Sequence, residues 1–165
     1  QGGVRVPAFA HYPAKIQKGV RNDSILSIMD VMPTLLELAD IQHPGKQYRN
    51  REVVAMIGKS MLNMLKGESS RVHGDDYVLG WESFTKRGIR QGNWKINYEP
   101  FHEVLEPRVA GIKSDTWQLY NLANDPAELN DLSSKEPEKL KEMIAHWEAY
   151  VSETGLIIPD RWDGY

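Results

Sequence analysis

Hydrophobic positions recur along this chain at two different periods. Near the C-terminus, Leu140, Met143, Ile144, Trp147, Tyr150 and Val151 fall at i, i+3, i+4 and i+7, the spacing of one helix face. Ser134 is the expected N-cap, with Glu136 and Pro137 in the first turn, and Gly155 is the expected stop. Upstream the period is two. Trp94, Ile96 and Tyr98 alternate with Lys95 and Asn97, which predicts a strand with one buried face. Strands are also expected over 76–83, 86–91 and 116–121, the last with Trp117 and Leu119 on one face. Gly92-Asn93 has the two-residue form that closes hairpins. Four strands in a row followed by a long amphipathic helix predict an α+β fold: a four-stranded antiparallel sheet packed by a long C-terminal helix.

The first 58 residues do not complete that unit. Residues 4–12 alternate loosely and predict a short strand, with Pro7 at an edge or strand end. Residues 27–40 predict a helix with Asp30 as N-cap, Pro33 in the first turn, and Met32, Leu35, Leu36 and Ala39 at the helical period. Residues 41–58 read as irregular, and a short helix is expected over 59–66 with Ser60 as its cap and Gly67 as its stop. A lone strand and a lone helix need another surface to cover them. The expected division is therefore a strand-helix segment, 1–58, followed by a sheet-and-helix subdomain, 59–165.

Composition narrows the function classes. The 165 residues are 41% hydrophobic and 26% charged, which is ordinary globular composition. There is no cysteine, so a disulfide scaffold, a thiolate metal site and a cysteine nucleophile are excluded. No apolar run approaches the ~18 residues of a membrane span. The start, QGGVRVPAF, has neither a signal-peptide pattern nor an initiator methionine, so a processed chain or fragment is expected, soluble but with no compartment indicated. Net charge is −3, against a general nucleic-acid binder. It is uneven: residues 1–113 carry 16 Lys+Arg and 12 Asp+Glu, residues 114–165 carry 4 and 11.

Candidate chemistry is sparse. The five histidines match no metal spacing, and His73-Gly74-Asp75-Asp76 reads as a solvated turn. No Gly-x-Ser-x-Gly elbow is present. Glu82, with Arg87 and Arg90 on the next strand, reads either as an anion-holding cluster or as a cross-strand ion pair. Trp94, Trp117 and Trp147 fall on faces assigned to the core, which leaves Trp81 and Trp162 open. These residues describe an α+β module without a self-contained active site.

Five segments in order change that picture. Gly-Gly-Val-Arg-Val-Pro (2–7) is similar to a Gly-Gly-x-Arg-x-Pro segment, and Asp30-Val31-Met32-Pro33-Thr34 to an Asp-x-x-Pro-Thr helix start. Ile89-Arg90-x-Gly92-x-Trp94-Lys95, Leu119-Tyr120-Asn121-Leu122-x-x-Asp125-Pro126-x-Glu128 and HWEAYVSETGLI (146–157) follow. Together they resemble the C-terminal part of bacterial arylsulfatases, members of the alkaline-phosphatase-like sulfatase family. The resemblance implies that 1–58 is the tail of a catalytic domain. It also implies sulfuric ester hydrolysis by a formylglycine nucleophile and a calcium ion. This chain has no Cys/Ser-x-Pro-x-Arg signature, so both are expected only in an upstream part. No catalytic and no metal-ligating residue is assigned here.

The expectation is a C-terminal arylsulfatase fragment or remnant, inactive alone, with Arg5, Trp81 and Glu82 as substrate-rim candidates. Its partner is an upstream sulfatase part or a second copy of itself. The alternative is a stand-alone self-assembling interaction module with the same fold. A third reading is a carbohydrate-binding domain using Trp81 and Trp162.

Overall fold

The computed structural model describes residues 4–83, 86–99 and 116–157. They fall into two compact units. Residues 4–5 group with 75–157, and residues 6–74 form the other unit. The expected loop at 100–114, the C-terminal tail from 158 and Trp162 lie outside the described residues.

In the 6–74 unit, a 3-10 turn (Ile28–Asp30) runs into helix α1 (Val31–Leu38). The expected cap is corrected by one turn. Ser27 caps the 3-10 turn reciprocally with Asp30: Ser27 Oγ accepts from the Met29 N–H, and the Asp30 carboxylate accepts from the Ser27 N–H at 2.8 Å. Asp30 makes no side-chain cap to α1. Residues 4–12 form no strand and are exposed, which corrects that expectation. Strand pairing occurs where irregular chain was expected, between β1 (Gln47–Tyr48) and β2 (Arg51–Glu52). Arg49 and Asn50 between them both have positive φ, 48° and 62°, as a tight twisted hairpin turn requires. Helix α2 (Leu62–Leu65) ends at Gly67, φ 79°, and the Leu62 N–H donates to Ser60 Oγ at 3.2 Å. Residues 59–74 pack with α1: Lys59 N–H reaches Asp30 at 2.9 Å and Met61 N–H reaches Thr34 Oγ1 at 2.8 Å.

The second unit is the expected sheet and helix. Strands β3 (Val78–Ser83), β4 (Lys86–Gln91), β5 (Trp94–Tyr98) and β6 (Gln118–Asn121) pair antiparallel in sequence order. Helix α3 (Pro137–Thr154) starts with Pro137 at its first position rather than at Ser134. A proline there loses no helical hydrogen bond. Gly155, φ 66°, ends the helix. The register Gly80↔Ile89↔Ile96↔Leu119 puts these four side positions on one face. Ile89, Ile96, Leu119 and Met143 of α3 are all 0% exposed, with Trp147 beside them. Gly80 gives the room: a Cβ there would meet the Tyr150 ring at 2.7 Å.

Candidate functional site

Alternation along β5 predicts one buried face. The structure buries both. Lys95 is 3% exposed, Asn97 9% and Tyr120 of β6 7%, on the side of the sheet away from α3. An ammonium without a partner in such a place is expensive. Here Lys95 Nζ donates to Glu128 Oε1 at 2.6 Å, and Asn97 Nδ2 donates to Glu128 Oε2 at 3.2 Å. Burial pushes the Glu128 carboxyl up and the Lys95 hydrogen bond and charge pull it down, with a net displacement below the usual carboxylate range.

Glu128 is delivered by a turn that follows β6. The Asp125 carboxylate accepts the N–H groups of Leu129 (3.1 Å) and Asn130 (2.8 Å), and these bonds hold it below its ordinary acidity range. That clamp keeps Glu128 at φ 58°, a left-handed conformation costly for a residue with a Cβ. The strained backbone aims the carboxylate onto Lys95 and Asn97.

Neighbouring side chains complete this helix-free face. Lys95 Nζ lies 5.3 Å from the centre of the Trp81 ring. The ring crosses Gly88, where a Cβ would meet Trp81 Cζ2 at 2.6 Å and the Ile96 carbonyl at 2.7 Å. Arg90 stands directly opposite Lys95 in the ladder and is half-buried, its Nε donating to the Gly92 carbonyl at 2.9 Å. Burial, then the positive charge of Arg5, lowers the Arg90 guanidinium pKa. Burial also pushes the Tyr120 phenol up to about 12, helped by the negative charges of Asp131, Glu128, Glu99 and Asp125.

The pleat decides which expected rim residues meet. Trp81 and Arg90 share the helix-free face, and Arg5 is exposed and close enough to act on Arg90. Glu82 does not join them. It pairs in register with Arg87 on the helix-covered face, so the expected Glu82, Arg87 and Arg90 cluster is split between the two sides. Arg87 lies 4.2 Å from the Tyr98 ring centre, with the Trp117 ring beyond it at 5.9 Å. Lys95, Asn97 and Glu128 were not expected as site residues. The signal was weak: charged and amide side chains at i and i+2 look solvated until a carboxylate is placed over them.

In the other unit, Asp30 (0% exposed) accepts three donors, from Ser27, Lys59 and, at 2.9 Å, the Nε2 of His73. His73 is therefore buried, not part of a solvated turn. An open depression of about 270 Å³ beside α1 is lined by Leu36, Glu37, Asp40, Ile41, His43 and Met56, among others.

Residues 1–153 match the model of the N-sulphoglucosamine sulphohydrolase C-terminal family. The chain belongs to this sulfatase C-terminal family. It is 38% identical over 157 residues to an uncharacterized sulfatase of Schizosaccharomyces pombe, covering 95% of this chain and 26% of that protein. It is 39% identical over 144 residues to arylsulfatase G of Rattus norvegicus, covering 84% and 26%. The chain thus spans about a quarter of the length of these relatives. Among solved structures, a protein of the Bacteroides thetaiotaomicron locus for metabolism of multiple glycosaminoglycans shares the fold, with TM-score 0.63 at 22% identity over 85% of this chain and 28% of that one. A protein solved with its substrate D-glucosamine-2-N,6-O-disulfate gives TM-score 0.57 at 20% identity over 86% and 27%. The relatives are fungal, mammalian and bacterial.

The sulfatase reading implies calcium and formylglycine, and the residues present fit neither. Among the described residues no three His, Asp or Glu side chains come together as a cation site needs. The full sequence has no cysteine and no Ser-x-Pro-x-Arg.

Proposed function

We propose that this chain serves as the C-terminal part of a sulfuric ester hydrolase, inactive alone, whose helix-free sheet face closes one side of a substrate cleft formed with an upstream catalytic part. The observation that carries the reading is Lys95, held at 3% exposure by Glu128 on the sheet face that α3 leaves uncovered. A buried ion pair set by a left-handed turn gives that face a fixed geometry, which supports a role in lining a cleft. Arg5 and Trp81 are the rim residues on this side. Calcium and formylglycine belong to the upstream part, where the attack on sulfur takes place. The relatives' printed activities, on aryl and sugar sulfates, make an anionic ester the fitting substrate.

The test is hydrolysis of 4-nitrophenyl sulfate with calcium present. The chain alone is expected to release no nitrophenol. Fused in place of the C-terminal quarter of a sulfatase relative, it is expected to support turnover. Hydrolysis by the chain alone overturns the proposal.

A self-assembling module remains the second reading, favoured by apolar side chains exposed on and before α1: Ile28 at 84%, Met32 at 57% and Leu35 at 55%. Native mass by light scattering separates the two. A discrete oligomer of this chain alone supports self-assembly, and a monomer removes it.

A further inference from the structure

We propose that the β1–β2 hairpin is a docking site for a sulfated polysaccharide, with Tyr48 as its stacking platform and Lys46, Arg49 and Arg51 as its anion-holding groups.

The argument starts from register. Tyr48 stands directly opposite Arg51, and Gln47 opposite Glu52. The Val53 N–H donates to the Lys46 carbonyl at 3.0 Å, which carries the pairing one step further. Side chains alternate along a strand, so Lys46, Tyr48 and Arg51 stand on one face of the ribbon, and Gln47 and Glu52 on the other. Arg49, in the turn, joins the first face: its Cζ lies 5.2 Å from the centre of the Tyr48 ring. Three cations and an aromatic ring thus share one side, while Glu52, the carboxylate of the ribbon, stands on the other. All four side chains are exposed, and among the described residues none of the three cations is paired with a carboxylate.

The turn adds an independent observation. Arg49 has φ 48°, a left-handed conformation that glycine adopts freely and a residue with a Cβ adopts at a cost. The arginine is exposed, so packing does not offset that cost. What it provides is a guanidinium laid on the ring. Tyr48 remains 51% exposed, which leaves an apolar surface for a sugar ring. Guanidinium forks match the paired oxygens of a sulfate. Two residues along a strand span about 7 Å, so these cations meet several anionic groups of one polymer rather than a single ion. A bilayer would require apolar side chains at the tip, which is Arg49-Asn50. A nucleic acid offers stacking and anions as well; the sulfatase reading decides for sulfate, and that choice rests on it. The anion-holding face does not.

The experiment is binding to the whole chain, by calorimetry and by elution from a dextran sulfate column, with unmodified dextran and a thymidine oligonucleotide as comparison ligands. Dextran sulfate is expected to bind and to be released as sodium chloride is raised; unmodified dextran is expected not to bind. Lys46→Gln and Arg51→Gln are each expected to weaken binding about two- to fivefold, the worth of one exposed charge contact. Tyr48→Ala, which removes the platform, is expected to weaken it at least as much. Arg49→Gly is the sharper variant. It relieves the positive φ, so the melting temperature holds or rises while binding weakens. Lys141→Gln on the exposed side of α3 removes the same charge and is expected to change nothing. Absence of binding, equal affinity for unmodified dextran, or equal losses in Lys141→Gln and the hairpin variants overturns the site. Tighter binding of the oligonucleotide than of dextran sulfate overturns the polysaccharide and gives the hairpin to nucleic acid. The fusion assay described above fails separately. Dextran sulfate binding beside an inactive fusion leaves the site standing and removes the sulfatase reading, whereas an active fusion without that binding removes only the site.

Discussion

Replacing Lys95 by Met separates a buried ion pair from its energetics. Lys95 is 4% exposed at its side chain and Glu128 11%, with 2.6 Å between Nζ and Oε1. Met keeps the length and most of the volume of the lysine stem, so packing is nearly conserved. What changes is that the Glu128 carboxylate loses its shortest described hydrogen bond and the ammonium that balances its charge, while the 3.2 Å bond from Asn97 stays. Breaking one side of a buried pair costs about 3–5 kcal/mol, because the remaining charge is desolvated without compensation. Removing both charges is different. Lys95→Met with Glu128→Leu loses the attraction but also both desolvation penalties, and leaves Asn97 short of one acceptor, a residual of about 1 kcal/mol. The φ of 58° at position 128 is paid by Glu and Leu alike, so it cancels in the comparison. The Lys139–Glu142 pair, at a similar 2.8 Å but open to water on the Glu142 side, is the control: Glu142→Gln, which leaves Lys139 over the Trp94 ring, should cost no more than about 0.5 kcal/mol. Urea unfolding followed by circular dichroism and tryptophan emission gives each value, provided the slope with denaturant is unchanged. The Trp81 ring, 5.3 Å from the ammonium, reports locally on the change. A single variant that loses under about 1 kcal/mol, or a double variant less stable than the single, refutes the reasoning.

Two further outcomes follow from the same face of the sheet. The pKa of Glu128 is lowered from 4.5 in the folded state, so its pair is fully stabilising above that pH and is lost as pH falls below it; acid unfolding of Glu128→Gln should be correspondingly less steep below pH 4.5. Tyr120 is raised to about 12 by burial first, so its contribution is intact below pH 10 and drains away between about 10 and 12; absorbance titration should show one tyrosine ionising last, missing in Tyr120→Phe. Gly88→Ala should destabilise more than Gly80→Ala. The added methyl at 88 meets the Ile96 carbonyl at 2.7 Å inside the ladder, whereas at 80 it meets only the Tyr150 ring, which can turn aside; chemical denaturation of both variants checks the order.

The sheet and its helix were legible because their signals are periodic and local. Six apolar residues of α3 at helical spacing and the three of β5 at spacing two each fix which side faces in, and Ile96, Met143 and Trp147 are buried as those patterns require. The helix starts were less legible, since a cap is a hydrogen bond and several Ser, Asp and Glu compete for it: Ser27 took the role expected of Asp30, and Pro137 began α3 in place of Ser134. Residues 4–12 alternate well enough for a strand, but alternation supplies no partner strand, and none is paired with them. The site was least legible. Trp81 and Glu82 are adjacent in sequence and therefore on opposite faces, which the strand period itself dictates once β3 is accepted. Lys95 and Glu128 are 33 residues apart, and nothing in one sequence says that a left-handed residue after β6 will fold its carboxylate over β5.

The two units differ in what occupies their centres. The sheet unit closes on apolar side chains, with Ile89, Ile96, Leu119 and Met143 all at 0% exposure. The 6–74 unit closes on a polar knot. Asp30 binds Ser27, Lys59 and His73, and Thr34 Oγ1 donates to the Asp30 carbonyl while accepting from Met61. Beside that knot it buries Leu62 and Met64, while other apolar side chains stand outside: Phe9 at 90%, Val54 at 92% and Ile57 at 71% exposed, besides those of α1. Hydrogen bonds of this kind fix geometry but contribute little net stability, about 1 kcal/mol each. A segment so organised has its geometry set by directional bonds more than by apolar burial. Asp30 and Thr34 of the Asp-x-x-Pro-Thr segment thereby acquire a physical reason. Asp30 gathers the chain at 27, 59 and 73, and Thr34 ties the first turn of α1 to Met61, so the motif fixes where α1 starts relative to residues 59–73.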